Sequence, residues 1–368
     1  MLLDPGPLGN NPSSLNTGFI PDPIKAACSH QYPWLGAPSD LTITPVHAQA
    51  FSGAAVFCVE AANATRFSLR RWPSRALPFA RLTGLHALLR HTAGAGLPVA
   101  APLPTQSGAT TFLWEGSLWQ LEPWLPGAPL PISTTTTAQL DAAVTMLARW
   151  HEVARTFRPP PASSEWFASS TPGISPTVLT RTATLARFQS RNACPQFPGS
   201  HELQHRLTNL ERQIRLLSPN VLRYLEAWQS RTLPLIPCWG DLWCGHVLME
   251  GSHVTGLIDA TAARCDTIAI DLARLLGSLL LPSGAWDQAF QAYRRVRPIT
   301  EETVSLARLL DHAGILTAGL HWLDSKNWGT SGVPLSSAQP SAAILNRLDW
   351  IAARLAEMHS AANPAEWL

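Results

Sequence analysis

The sequence predicts an α+β chain of two lobes, a small sheet-rich lobe followed by a larger, mostly helical one. Three observations carry this. Two hairpin patterns lie upstream of residue 125, a proline–glycine break, "LPGAPLP", follows them, and apolar residues recur at helical spacing through most of what comes after. The 368 residues give ample length for two cores, and 46% hydrophobic against 14% charged residues places the chain among globular rather than disordered proteins.

Taken in order, residues 1–40 are rich in Pro, Gly, Asn and Ser and read as an irregular N-terminal arm with a short helix near Ile24. A small lobe over 41–122 follows. In it "AAVFCVE" and "RFSLRRW" flank the polar "AANAT" as a hairpin. "LPFARLTGLHALLRHTAGAG" carries Leu82, Leu85 and Leu89 at helical spacing and closes on glycines. "TTFLWEGSLWQLEPW" is a second hairpin turning at Glu115-Gly116. Residues 123–130 form a linker. The large lobe, 131–368, opens with "TAQLDAAVTMLARWHEV", passes a Pro/Ser-rich loop over 158–176, and resumes helical patterns at 202–229, 284–295, 301–323 and 341–359.

Composition excludes several function classes. A net charge of +2 makes no case for nucleic acid or an acidic membrane surface. No apolar run reaches membrane-spanning length, and the N-terminus lacks a signal-peptide pattern. The six cysteines contain no C-x-x-C pair, so reduced thiols in a cytoplasm are expected. Oligomeric state is not legible.

The chemistry concentrates in "CWGDLWCGHVLMEGSHVTGLIDATAARCDTIAIDLARLL", residues 238–276, which sets Asp241, His246, Asp259, Asp266 and Asp271 among apolar runs. "HVLM" and "VTGLID" flank the turn "EGSH" as a hairpin. Pairing Met249 with Val254 puts His246 opposite Leu257 and on the same face as Asp259, as a diagonal pair about 7–8 Å apart, close enough to share a cation. Asp241 precedes that hairpin on a loop, where Gly240 permits a tight backbone. A loop carboxylate followed by metal-binding oxygens is what phosphoryl transfer needs, one group to accept the alcohol's proton and others to hold Mg²⁺ at the nucleotide phosphates.

In this order, D-x-x-x-x-His, hairpin, "GLID" and "DLARLL", the chain resembles the aminoglycoside phosphotransferase and choline kinase-like family of small-molecule kinases. The resemblance covers roughly residues 45–280 and implies a protein-kinase-like two-lobed fold. It also implies ATP and Mg²⁺ (or Mn²⁺, given a histidine ligand) as the nucleotide and metal, and a small-molecule hydroxyl as acceptor. Carried over residue by residue, Asp241 would be the catalytic base, Asp259 and His246 the metal ligands, and Asp271 a brace for the catalytic loop. Arg70 would stand at the phosphates in place of the family's lysine, and Glu122, Pro123 and Trp124 would form the hinge that meets adenine.

The sequence departs from the family pattern at several places. Trp239 stands where the motif has histidine, His246 where it has asparagine, and Leu85 where a glutamate would pair with the absent lysine. These changes keep open a second reading, a catalytically inactive kinase-like protein that binds a nucleotide or metabolite. A third, a metallohydrolase using Asp241, His246 and Asp259, lacks further ligands nearby. The residues also have plainer readings: Asp241 and Asp259 as turn caps, His246 as a packing histidine, and Arg70 as a solvated strand residue; Asp266 reads as a turn residue or a substrate-side carboxylate, with the turn favoured.

Overall fold

The computed structural model describes residues 22–46, 54–72, 77–192, 200–282, 284–324 and 342–360. The chain divides into two compact units, Met1–Pro78 with Ala101–Trp124, and Phe79–Ala100 with Leu125–Leu368.

The first unit is built on an antiparallel sheet of β1 (Thr42–Pro45), β2 (Ala55–Glu60), β3 (Arg66–Arg71), β4 (Phe112–Trp114) and β5 (Ser117–Pro123), ordered β1-β2-β3-β5-β4. Both expected hairpins form. The β2–β3 turn is closed by Thr65 N–H donating to Asn63 Oδ1 at 3.0 Å. At the β4–β5 turn Glu115 and Gly116 both take positive φ, 46° and 70°, the signature of a two-residue turn whose twist matches its strands. Residues 1–21 of the expected N-terminal arm lie outside the described residues. The short helix expected near Ile24 is present, but its segment is part of the small unit's core rather than a separate arm. Helix α1 (Asp22–Gln31) forms around Ile24, and Ile24, Cys28 and Tyr32 are buried in one cluster with Val59, Leu69 and Leu121 of the sheet. The segment reads as irregular because its Pro and Gly mask a single buried stripe two turns long.

The second unit begins with α2 (Phe79–Gly94), the helix that the sequence places in the small lobe. The linker also does more than connect: Ala128–Pro129 is strand β6, pairing with Met249 and Leu248 at a sheet edge, where a missing N–H is tolerated. Helix α3 (Thr137–Ala154) starts at a reciprocal cap between Thr136 and Gln139. The expected loop over 158–176 instead carries α4 (Ser164–Phe167) and β7 (Ser170–Ile174). Both are too short to show a period, and β7 exists only by pairing with β8 (Thr232–Cys238).

Helices α5 (Pro176–Gln189) and α6 (His201–Trp228) precede β8. After it come β9 (Val247–Glu250), β10 (His253–Leu257), β11 (Arg264–Asp266) and α7 (Ala269–Leu276). The chain continues through α8 (Ala285–Arg294), α9 (Glu301–Leu323) and α10 (Ala342–Ser360). Helix α9 is the hub on which α5, α6, α7 and α10 pack. Gly277 permits the α7–α9 approach, since a Cβ there would lie 1.8 Å from Asp311 Oδ1. Among the described residues no helix is long and apolar enough to cross a membrane.

Candidate active site

The site is built around the loop between β8 and β9. Strand β8 ends at Cys238, and the next two backbone N–H groups, of Trp239 and Gly240, both donate to the carboxylate of Asp271, at 2.6 and 2.7 Å. Asp271 lies in the first turn of α7 and has no exposure. Its Oδ2 also accepts from His151 Nε2 at 3.1 Å, while Tyr293 Oη donates to His151 Nδ1 at 2.7 Å. Asp271 thus ties the start of the β8–β9 loop to α7, with His151 and Tyr293 behind it. His151, Cys238 and Asp271 bring ligand atoms within 4.8 Å of one another. Those atoms are already engaged, because the Cys238 thiol donates to the Asp266 carbonyl and Asp271 holds three N–H groups.

Burial pushes the His151 pKa below its usual 6.5, against the upward pull of Asp271. An unfolded chain with ordinary histidine then binds more protons than the folded one below pH about 6.5, so stability falls as pH drops from there toward the folded value. Buried His312 acts in the same direction. The denaturation midpoint is expected to be lower at pH 5 than at pH 7.5, with a shallower slope in His151→Gln. An unchanged slope would remove His151 from this account.

Gly240 takes φ of 82°, and a Cβ there would lie 2.5 Å from the Ala262 carbonyl oxygen, so both the conformation and the space demand glycine. The reversal delivers Asp241 to the surface of a cavity with its side chain 45% exposed. Arg274 of α7 holds that carboxylate through its Nε, a partner the sequence reading did not find. The signal was present, because "DLARLL" places Arg274 one turn beyond the bracing Asp271.

His246 and Asp259 meet by a route other than the expected one. Met249 does pair with Val254, but the register shifts between Val254 and Gly256, so Leu257 faces Val247 and not His246. Simple alternation therefore fails. The two side chains are joined instead by the bend after β10. Asp259 adopts φ of 60°, and its carbonyl accepts from Trp239 Nε1 at 3.2 Å. His246 Nε2 then stands 3.8 Å from Asp259 Oδ2. Trp239 thus fixes the turn that presents Asp259. It is buried edge-on to Trp150, with ring centroids 4.8 Å apart.

His246 is committed on both nitrogens. Nδ1 donates to the Asp241 carbonyl at 2.9 Å, and Nε2 accepts from Trp243 Nε1 at 2.8 Å. The first bond ties the backbone of Asp241 to the hairpin; the second occupies the lone pair that a metal would need.

Asp266 is neither an exposed turn residue nor a substrate-side carboxylate. It is 1% exposed and accepts from Ser175 Oγ at 2.6 Å and from Thr177 N at 3.0 Å, capping the start of α5.

The remaining residues belong to the first unit. Arg70 on β3 is 7% exposed, opposite Gln120 in register, with its guanidinium 5.7 Å from the Trp72 ring centre. Trp72 Nε1 donates to Gln120 Oε1 at 2.6 Å, and Gln120 Nε2 donates to Glu122, forming a buried polar face. Leu69 and Leu121 lie on the opposite, apolar face, and neighbouring Arg71 lies over Trp119. Glu122 and Pro123 close β5 beside Ser68 and Phe67, and Trp124 N–H donates to the Arg66 carbonyl at 3.3 Å.

A model of the phosphotransferase enzyme family matches residues 44–306. A homoserine kinase from Janthinobacterium sp. (strain Marseille) is 24% identical over 252 residues, covering 65% of this chain and 68% of that protein. Among solved structures, a spectinomycin phosphotransferase in complex with ADP and spectinomycin aligns with a TM-score of 0.62 at 13% identity, covering 94% of this chain and 96% of the other. A microcompartment-associated aminopropanol kinase aligns at 0.59 and 14% identity, covering 90% and 94%. Identities this low speak for the fold, while the family match spans most of the chain and includes the β8–α7 constellation. The chain belongs to the phosphotransferase enzyme family, whose characterised relatives here are small-molecule kinases with a two-lobed α+β fold.

Proposed function

We propose that the chain is an ATP-dependent kinase acting on a hydroxyl of a small molecule. The observation that carries this is the buried Asp271 clamp on Trp239 and Gly240, which sets Asp241 on a built loop while Trp239 fixes the turn of Asp259. In this reading the acceptor oxygen forms a bond to the γ-phosphorus as the bridging P–O bond breaks and ADP leaves, and the acceptor's proton passes to Asp241. Arg70 contributes a fixed positive charge toward phosphate, and the backbone of Glu122–Trp124 meets the adenine.

A divalent cation supplies charge neutralisation at the phosphates when bound. The donor set fits Mg²⁺, which is held through one or two carboxylates, with water and phosphate completing its shell. Asp259 offers such a carboxylate on a bend fixed by Trp239. His246 joins it only if Trp243 releases Nε2, so Asp259 is the principal ligand here. A neighbouring fold solved with AMP-PNP and Ca²⁺, an amicoumacin kinase, supports nucleotide and divalent-metal use.

The second reading, an inactive binder of a nucleotide or metabolite, is favoured by one observation: Arg274 occupies the Asp241 carboxylate. ATP consumption across an alcohol panel, with nucleotide titrations in Mg²⁺ and in EDTA, separates the two. Asp259→Ala is expected to lose the metal-dependent part of nucleotide binding. A variant that binds Mg-nucleotide as the parent does would discard the metal role of Asp259.

A further inference from the structure

The second unit contains a cavity of about 290 Å³ that opens on Asp241. Its wall is assembled from three distant segments: Arg181 of α5, Arg274 of α7, and Arg347 with Trp350 of α10, besides Asp311 of α9. Three guanidiniums therefore face two carboxylates, and both carboxylates are already engaged. Asp241 pairs with Arg274, and Asp311 pairs at 2.6 Å with Arg354. Among the described residues no carboxylate is ion-paired to Arg181 or Arg347. Arg181 is anchored through Nη1 to the Leu310 carbonyl, and Arg347 lies 4.4 Å from the Trp350 ring centre. Gly314 keeps space beside Arg181, because a Cβ there would come within 3.4 Å of Nη2. Desolvation, followed by repulsion from Arg274, pushes both Arg181 and Arg347 down to about 10, against the upward pull of Asp266 and Asp311 on Arg181 and of Asp241 on Arg347.

We infer that the acceptor is an alcohol that also carries an oxyanion, a carboxylate or a phosphate, held by Arg181 and Arg347 while its hydroxyl lies at Asp241. A planar guanidinium takes either group through paired N–H donors, and one stacked on an aromatic ring keeps those donors in its own plane. The volume falls at the small end of ligand sites, roughly 300–1,000 Å³, so the acceptor is compact. A polycationic acceptor would meet like charge on three sides and is disfavoured. The hydroxyl half of this inference rests on the kinase reading, while the oxyanion half rests on the cavity alone.

The test keeps those halves apart. Malonate and inorganic phosphate are titrated calorimetrically into the nucleotide-free chain, at constant chloride, with the parent, Arg347→Gln, Arg347→Lys and Arg181→Lys. Saturable binding is expected in the parent, weakened about 10–100-fold in Arg347→Gln, the value of a charge-assisted hydrogen bond in a shielded site, and recovered in part by Arg347→Lys. ATP turnover is then compared for glycerate, glycerol phosphate, glyceramide and 3-aminopropane-1,2-diol. Preference for glycerate or for glycerol phosphate identifies which oxyanion is taken, and its loss in Arg347→Gln ties it to the cavity. Anion binding that survives Arg347→Gln unchanged overturns the inference, as does turnover confined to the neutral or cationic alcohols, which leaves the kinase reading standing. Arginine-dependent anion binding with no turnover of any alcohol supports the oxyanion site and counts against the kinase reading.

Discussion

Replacing Asp241 by Asn is expected to abolish most phosphotransfer while leaving the fold and nucleotide affinity close to the parent's. The side chain is 45% exposed and its ion partner Arg274 is 27% exposed, so loss of the pair costs stability little, at most about 1 kcal/mol. Asn keeps an oxygen that can accept from Arg274 and keeps the Nδ1–H bond from His246, which ends on the backbone carbonyl. What disappears is the group proposed to take the acceptor's proton, worth about 10²–10⁴-fold in rate. Single-turnover assays with a phosphorylated acceptor as readout measure this. Turnover within a few-fold of the parent would show that Asp241 is not the base, and would make its pairing with Arg274 its whole role.

Asp271→Ala should act on the other side of the same loop, and mainly on stability. It strips the acceptors from Trp239 N–H, Gly240 N–H and His151 Nε2–H in a fully buried setting. Each orphaned donor costs about 1–3 kcal/mol, so the total is a large share of a typical 5–15 kcal/mol of folding stability. A fall in Tm on the order of 10 °C is expected. Asp271→Asn should fall between parent and Ala, because it retains one carbonyl acceptor for two backbone donors. A Tm for Asp271→Ala within a degree or two of the parent would mean that the loop is held by other contacts. The two variants thus separate the chemistry of the loop from its support.

The legible parts of the site are those in which function is written into a short stretch. Asp241, Asp259 and Asp271 stand out because carboxylates inside apolar runs need a physical reason, and Gly240 because the chain must reverse there. The Glu115-Gly116 turn was readable for the same cause, since turn chemistry depends on neighbours a few residues apart. The hairpin bearing His246 shows where this stops. Its first pair, Met249 with Val254, followed from the pattern, but the bulge before Gly256 did not. The exchange of partners at Trp239 read as a loss of the motif, whereas the folded chain uses its indole to hold Asp259.

By itself the sequence determined the two-lobed class, the β9–β10 hairpin after Asp241 with the helix opening near Asp271, and which carboxylates stand there, because backbone preference and alternation act over a few residues. The tertiary structure alone decided that α1 completes the small sheet's core, that Trp243 occupies the lone pair of His246, and that Arg181, Arg274 and Arg347 converge on one cavity beside Asp241. The three arginines lie on α5, α7 and α10, each ordinary on its own helix. Their juxtaposition arises from how those helices pack on α9, a long-range arrangement that no single helix's pattern of residues records.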